Sequence, residues 1–338
     1  MDRNPPSWGL LAIITACVLW GASFYFGKVA LVEISADQVV LWRFVLALIV
    51  LAPFVGLRAF RQSRRARPEG LRRPAPIWRA APWLLLNGLL TVPVQFVLQF
   101  EGLARTTASS AALIVGAFAP MMAIAAVLIA KERLGTIGWV AVACSTLGLM
   151  VMVGAPGEGR TLTGDVMVLA SLVAAVGMVL VTQRLVRHHD ALWVTLLTIA
   201  VGTVLLIPWT LWQSGLPSLA LSEATWAALL GLGLGCTALT FTLWNWGLRY
   251  VPASHAGVFV NLEPVIGAVL GVAFLGDVMT PALILGGGLI LGAALLVSWP
   301  TSTPASAPAQ ADRDEACVGM SAAPAPAVPG KNVQQALT

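Results

Sequence analysis

The chain has 338 residues, 58% of them hydrophobic and only 10% charged, with a mean hydropathy of +0.85. A soluble globular protein carries about 25% charged residues, so a water-facing coat is out of reach and lipid is the expected solvent. The net charge of +5 comes mostly from arginines in connecting segments; this is a topology signal, and nucleic acid is not expected as a partner.

Apolar runs of roughly 20 residues suit helices crossing about 30 Å of hydrocarbon. A membrane barrel would instead show segments of about ten residues alternating apolar and polar. The first run, Trp8 to Leu31, is too long for a signal-peptide core of about 7–15 residues and reads as a retained first span. In chain order the expected helices are 8–29, 38–57, 80–100, 109–130, 136–154, 164–183, 191–212, 225–247, 255–275 and 281–299. The arginine- and proline-rich stretch 58–79 between the second and third is a topology stop, also placed to touch anionic headgroups. Beyond Trp299, Pro, Ala, Ser and Gln dominate, and 300–338 is expected to be a disordered cytoplasmic tail. Cys17, Cys144, Cys236 and Cys317 have no metal or redox spacing and read as packing residues.

Placing the N-terminus inside collects Arg58 to Arg79, Lys131, Arg133, Arg184, Arg187 and Arg249 on one side and leaves only Lys28, Arg105 and Arg160 in the opposite segments. The positive-inside rule then puts both termini in the cytoplasm of a bacterial inner-membrane protein. A repeat is also visible. Gly102-Leu-Ala-Arg-Thr-Thr-Ala-Ser-Ser-Ala111 and Gly247-Leu-Arg-Tyr-Val-Pro-Ala-Ser-His-Ala256 share five of ten positions at an offset of 145, where Glu132 also meets Asp277. The expected architecture is all-α: two five-helix repeats, 1–154 and 155–299. Five is odd, so the second is inverted in the membrane, an arrangement common in secondary transporters.

The sequence resembles EamA-type transporters of the drug/metabolite transporter superfamily. The resemblance rests on Leu19-Trp20-Gly21-Ala22-Ser23-Phe24, Trp42-Arg43-Phe44, Gly102-Leu103, Pro120 and Lys131-Glu132-Arg133-Leu134. It rests equally on the second-half counterparts Gly247 to Ser254, Leu262-Glu263-Pro264-Val265 and Leu275-Gly276-Asp277. Pro120 is one residue out of register with Pro264, and Asp277 stands where the family more often has Glu. The resemblance implies a ten-helix bundle that moves metabolites such as amino acids.

Glu263 is the leading site candidate, because a carboxylate at membrane depth costs roughly 2.5–3.5 kcal/mol and needs a partner or water. It reads either as a ligand or proton-coupling group, or as an internally paired packing residue. Within the expected helix 255–275, Pro264 would free the carbonyl of Val260. His255, Phe259, Glu263, Gly267 and Gly271 would share one stripe. Arg43 reads as a counter-charge in the cavity or as a headgroup-snorkelling residue. Gln95 with Gln99, Phe241 with Asn245 and neighbouring Trp244, Trp20 with Phe24, and Asn261 complete a set of amides and aromatic faces suited to an amphipathic solute. Glycine pairs 231/235, 267/271 and 288/292 have the spacing for close helix approach. No catalytic constellation, metal set, cofactor motif or nucleotide-binding loop is seen. The expected function is therefore secondary transport of a small-molecule solute, with export favoured; a sensor or a lipid scramblase is the alternative. Membrane lipids are the other expected partner, and a homodimer is left open.

Overall fold

The computed structural model describes residues 7–63, 80–130, 135–152, 159–186, 188–247, 250–251 and 259–298. Among them there is no strand. Backbone polar groups in hydrocarbon have to be satisfied within the segment, and helices do this. Helix α1 is Ser7–Leu31 and α2 is Ala36–Ser63. Helix α3 joins Ala81–Leu89, Leu90–Phe96 and Val97–Arg105, and α4 is Ala108–Val115 followed by Phe118–Ala130. Then come α5 (Thr136–Met152), α6 (Leu162–Val186) and α7 (Ala191–Gln213). Helix α8 joins Glu223–Leu230, Gly231–Leu239 and Thr240–Gly247; α9 is Leu262–Leu275 and α10 is Pro281–Ser298.

Among the described residues seven helices are long and apolar enough to cross a membrane, and α5, α9 and α10 are shorter apolar helices. Helices form within the expected spans, and three depart from the expected course. The span 109–130 is interrupted at Gly116 and Ala117. Helix α2 continues through Arg58 to Ser63 instead of ending at 57. Of the expected helix 255–275, Phe259 and Val260 are helical, Asn261 is a turn and α9 runs from Leu262, while 255–258 lie outside the described residues. His255, Glu132, Arg249, Cys317, the stretch 64–79 and the tail 300–338 lie outside the described residues.

Partners are exchanged across the middle of the chain. Helix α3 lies against α6 and α7, α8 lies against α1 and α2, α9 packs on α1 and α4, and α5 runs along α10. Their shared core holds Phe24, Phe44, Leu103, Ile114, Leu206, Leu229 and Leu232, all essentially inaccessible. Lipid tails are as apolar as these side chains, so association rests on tight packing and interhelical hydrogen bonds. Glycine provides the closeness: a Cβ on Gly202 would lie 2.6 Å from the Gly88 carbonyl oxygen, and one on Gly21 2.7 Å from that of Glu263. Of the glycine pairs read from sequence, Gly267 and Gly271 do face Ala112 and Ser109 across α4. Gly288 and Gly292 do not behave as expected. A Cβ on either would meet nothing within 4 Å, and both line an apolar groove with Cys144.

Three polar fastenings join these helices. Asn87 on α3 donates to Thr198 on α7 (2.9 Å) and to Thr182 on α6 (3.0 Å). The fully buried Asp165 on α6 accepts from Arg160 (2.6 and 2.8 Å), from Thr106 (2.6 Å) and from Ser110 (2.9 Å). The α1–α2 turn is tied to the α7–α8 connection: Glu33 accepts from Thr225 (2.5 Å) and Ser222 (2.7 Å), and Asp37 accepts from Ser214 (2.8 Å).

Candidate functional site

Two helix breaks face each other. In α4 the chain tightens at Gly116 and Ala117, whose N–H groups donate to Leu113 and Ile114, and helix resumes at Phe118. Facing it, Phe259 and Val260 are helical, Asn261 turns, and α9 begins. A Cβ on Gly116 would be 3.5 Å from Pro264, so the breaks nearly touch. Between them lies a cavity of about 410 Å³, lined by Val115, Phe118 and Met122 from α4 and by Asn261, Glu263 and Pro264 from the α9 side.

The late start of α9 changes the role of Pro264. In the first turn a helix N–H has no intrahelical acceptor, so the missing proline N–H costs no bond there. The helical path is interrupted at Asn261, and Glu263 sits in the first turn of the helix that follows, where the partial positive end of a helix favours a carboxylate. Glu263 is half-buried, lines the cavity, and makes no hydrogen bond or ion pair among the described residues.

Arg43 neither snorkels nor pairs directly. It is buried on α2, donates to the Thr237 hydroxyl (2.9 Å) and the Cys236 carbonyl (3.4 Å), and stacks 4.6 Å from the Phe96 ring centre. It forms no ion pair within 4.0 Å with Glu263. Its acceptors lie in Gly231–Leu239, a π-helical stretch of α8, and Phe96 ends a second one, Leu90–Phe96 of α3. Such wide turns displace backbone carbonyls from the regular ladder and recur at functional sites.

The other expected residues divide into groups. Asn261 lines the cavity with Glu263. Trp20 packs against Trp244 (5.2 Å between ring centres) and edge-on to Phe241 (6.2 Å). Phe259 and Trp244 pack on the small cluster of Ile13, Cys17 and Val251. Phe24 is core, pressed against the backbone at Gly267. Gln95 and Gln99 are buried and bonded to each other (3.2 Å). Asn245 is placed on α8 by its backbone, and its side chain lies outside the described part. Sequence reading singled out neither Asn87 nor the Arg160–Asp165 pair. The pair straddles a helix start, so no helical spacing announces it; Asn87 inside an apolar run was the available signal.

A bundle of apolar helices around a partly polar cavity, with an ionisable group at a helix start, defines a multi-pass α-helical membrane protein built to handle a solute. The profile of the EamA-like transporter family matches residues 7–154 and again 162–299. The chain belongs to that family. An "uncharacterized transporter" of Archaeoglobus fulgidus is 26% identical over 263 residues, spanning 77% of this chain and 86% of its own. A "probable terminal-alkyne amino-acid exporter" of Streptantibioticus cattleyicolor is 27% identical over 296 residues, 85% of this chain and 92% of its own. A solved crystal structure matches with a TM-score of 0.56 over 85% of this chain and 95% of its own, at 18% identity, a likeness of fold.

Proposed function

We propose that this protein is a secondary carrier that exports small amphipathic solutes bearing a cationic amine, amino acids among them, across a bacterial inner membrane. The observation that carries the reading is the half-buried Glu263, with no ion pair among the described residues, in a cavity walled also by the apolar Val115, Phe118 and Met122 and by the Asn261 amide. The carboxylate suits an ammonium group, and the apolar wall suits the solute's body. The cavity volume is within the range of small-molecule sites, about 300–1,000 Å³. The amino-acid exporter among the relatives supports the substrate class and the direction.

Alternating access is the proposed mechanism, with two inverted five-helix repeats, 1–154 and 155–299, exchanging positions around the cavity. The duplicated family match supports the repeat. So does the packing: α3 lies on α6 and α7 as α8 lies on α1 and α2, and α3 and α8 each carry a π-helical stretch. Both termini are proposed to be cytoplasmic, from the distribution of Lys and Arg.

Purified protein in proteoliposomes, offered amine-bearing amphipathic solutes across a pH range, tests the reading. Glu263→Gln is expected to reduce flux roughly tenfold, in line with losing a charge-assisted hydrogen bond, and to flatten the response to pH. Flux and pH response equal to wild type would remove Glu263 from the mechanism.

A further inference from the structure

A second group of oxygens lies away from the cavity, where the start of α2 meets the end of α7. Asp37 is 1% exposed. Its Oδ1 accepts from the Ser214 hydroxyl (2.8 Å), which in turn accepts from the Ser35 hydroxyl (2.9 Å). The Ser214 carbonyl accepts from Gln38 (3.3 Å). The second carboxylate oxygen, Oδ2, is buried without a hydrogen-bond partner among the described residues, and no basic side chain among them pairs with Asp37. An isolated buried carboxylate is costly by several kcal/mol.

Helix α7 carries a matching anomaly. Thr195 and Thr203 return their hydroxyls to the carbonyls four residues back, at 2.9 and 2.7 Å. This is the usual way a helical threonine is satisfied. Thr210 is fully buried and makes no such bond. It lies four residues before Ser214, on the same face of the helix, and its carbonyl accepts from the Ser214 N–H (2.9 Å). Two buried oxygens without partners among the described residues thus lie on adjoining helices, one at the start of α2 and one a turn before Ser214 at the end of α7. Beside it, Glu33 adds a second carboxylate to the same turn.

We propose that this cluster binds a monovalent hard cation of sodium's kind, with Asp37 and Thr210 as principal ligands and the Ser214 and Ser35 hydroxyls around them. Hard cations take carboxylate, hydroxyl and carbonyl oxygens. One buried carboxylate balances one positive charge. Among the described residues no group of three or more His, Cys, Asp or Glu exists, so a transition metal has no ligand set there. Ser35 is exposed and Asp37 buried, which gives the ion a short way in from the solvent end. Bound there, the ion ties α2 to α7.

The test is thermal unfolding of the full chain in detergent, in NaCl and in choline chloride at equal ionic strength. Sodium is expected to raise the midpoint by about 3 °C over choline. Asp37→Asn is expected to abolish that difference, and Thr210→Val to move the half-effect to several-fold higher NaCl. Equal midpoints of the wild type in the two salts would overturn the proposal. So would a sodium response retained in full by Asp37→Asn. If Asp37→Asn does not fold, Thr210→Val decides: an undiminished response in that variant overturns the proposal equally. None of these readouts involves transport, so the result is independent of the role given to Glu263.

Discussion

Glu33 and Asp165 show how differently a carboxylate behaves at the edge and inside a helical bundle. Glu33 lies in the exposed α1–α2 turn, and hydrogen bonds from Thr225 and then Ser222 hold its carboxyl below the ordinary carboxylate value. With the pKa lowered in the tied state, the fastening is at full strength above the ordinary carboxylate range and is lost as pH falls through the lowered value. Spin labels at the exposed Val32 and Leu219 should therefore report one narrow distance at neutral and mildly acid pH, broadening only in stronger acid. Glu33→Gln should broaden it at every pH, and a distance insensitive to that substitution would refute the latch. Asp165 is inside, and its Arg160 partner is 1% exposed. Removing one member of a buried pair leaves an uncompensated charge, at a cost of about 3–5 kcal/mol. Arg160→Met should lower the unfolding midpoint in detergent sharply. Arg160→Met/Asp165→Leu together should recover much of the loss, because the stranded carboxylate is then gone.

At the scale of elements, the close crossing of α1 and α9 sets the position of Glu263. Gly21 leaves no room for a side chain beside the Glu263 carbonyl and Ile266. Gly21→Val should cost about 1–3 kcal/mol through overpacking and reduce flux, measured as unfolding midpoint and proteoliposome uptake. A Cβ on Gly56 would meet nothing within 4 Å, so Gly56→Ala should leave both unchanged. The helices themselves follow from apolar length, and their boundaries follow from local chemistry. Asp190 caps the start of α7, Ser222 that of α8, and Gly276, at φ 72°, ends α9. The break at Asn261 lies just before Pro264, the wide turn of α3 contains Pro93 and that of α8 is rich in glycine, so proline and glycine mark where the helical ladder can yield.

At the scale of the molecule, the exchange of packing partners between α1–α5 and α6–α10 accords with the duplicated motifs. The proposed inverted arrangement makes one sharp prediction. Cysteines replacing Arg105 and Arg249, which follow Gly102 and Gly247 in the duplicated motifs, should react with a membrane-impermeant thiol reagent from opposite sides of the bilayer. Labelling of both from one side would dismantle the inverted repeat and the transport cycle built on it.

Composition and the length of the apolar runs were enough to establish a helical membrane protein, because hydrocarbon tolerates no other open backbone. Motif order and duplication were enough for the family. Single residues were legible when their type was improbable in lipid, as with Glu263 and Arg43. Their partners were not. Whether Arg43 would snorkel or stack on Phe96, whether Gly288 would face a helix or open space, and where Asp37 and Thr210 would be left without a bond were decided by side chains far apart in the chain. Contacts between distant segments depend on how helices cross, and in a uniformly apolar sequence that information exists only once the helices have packed.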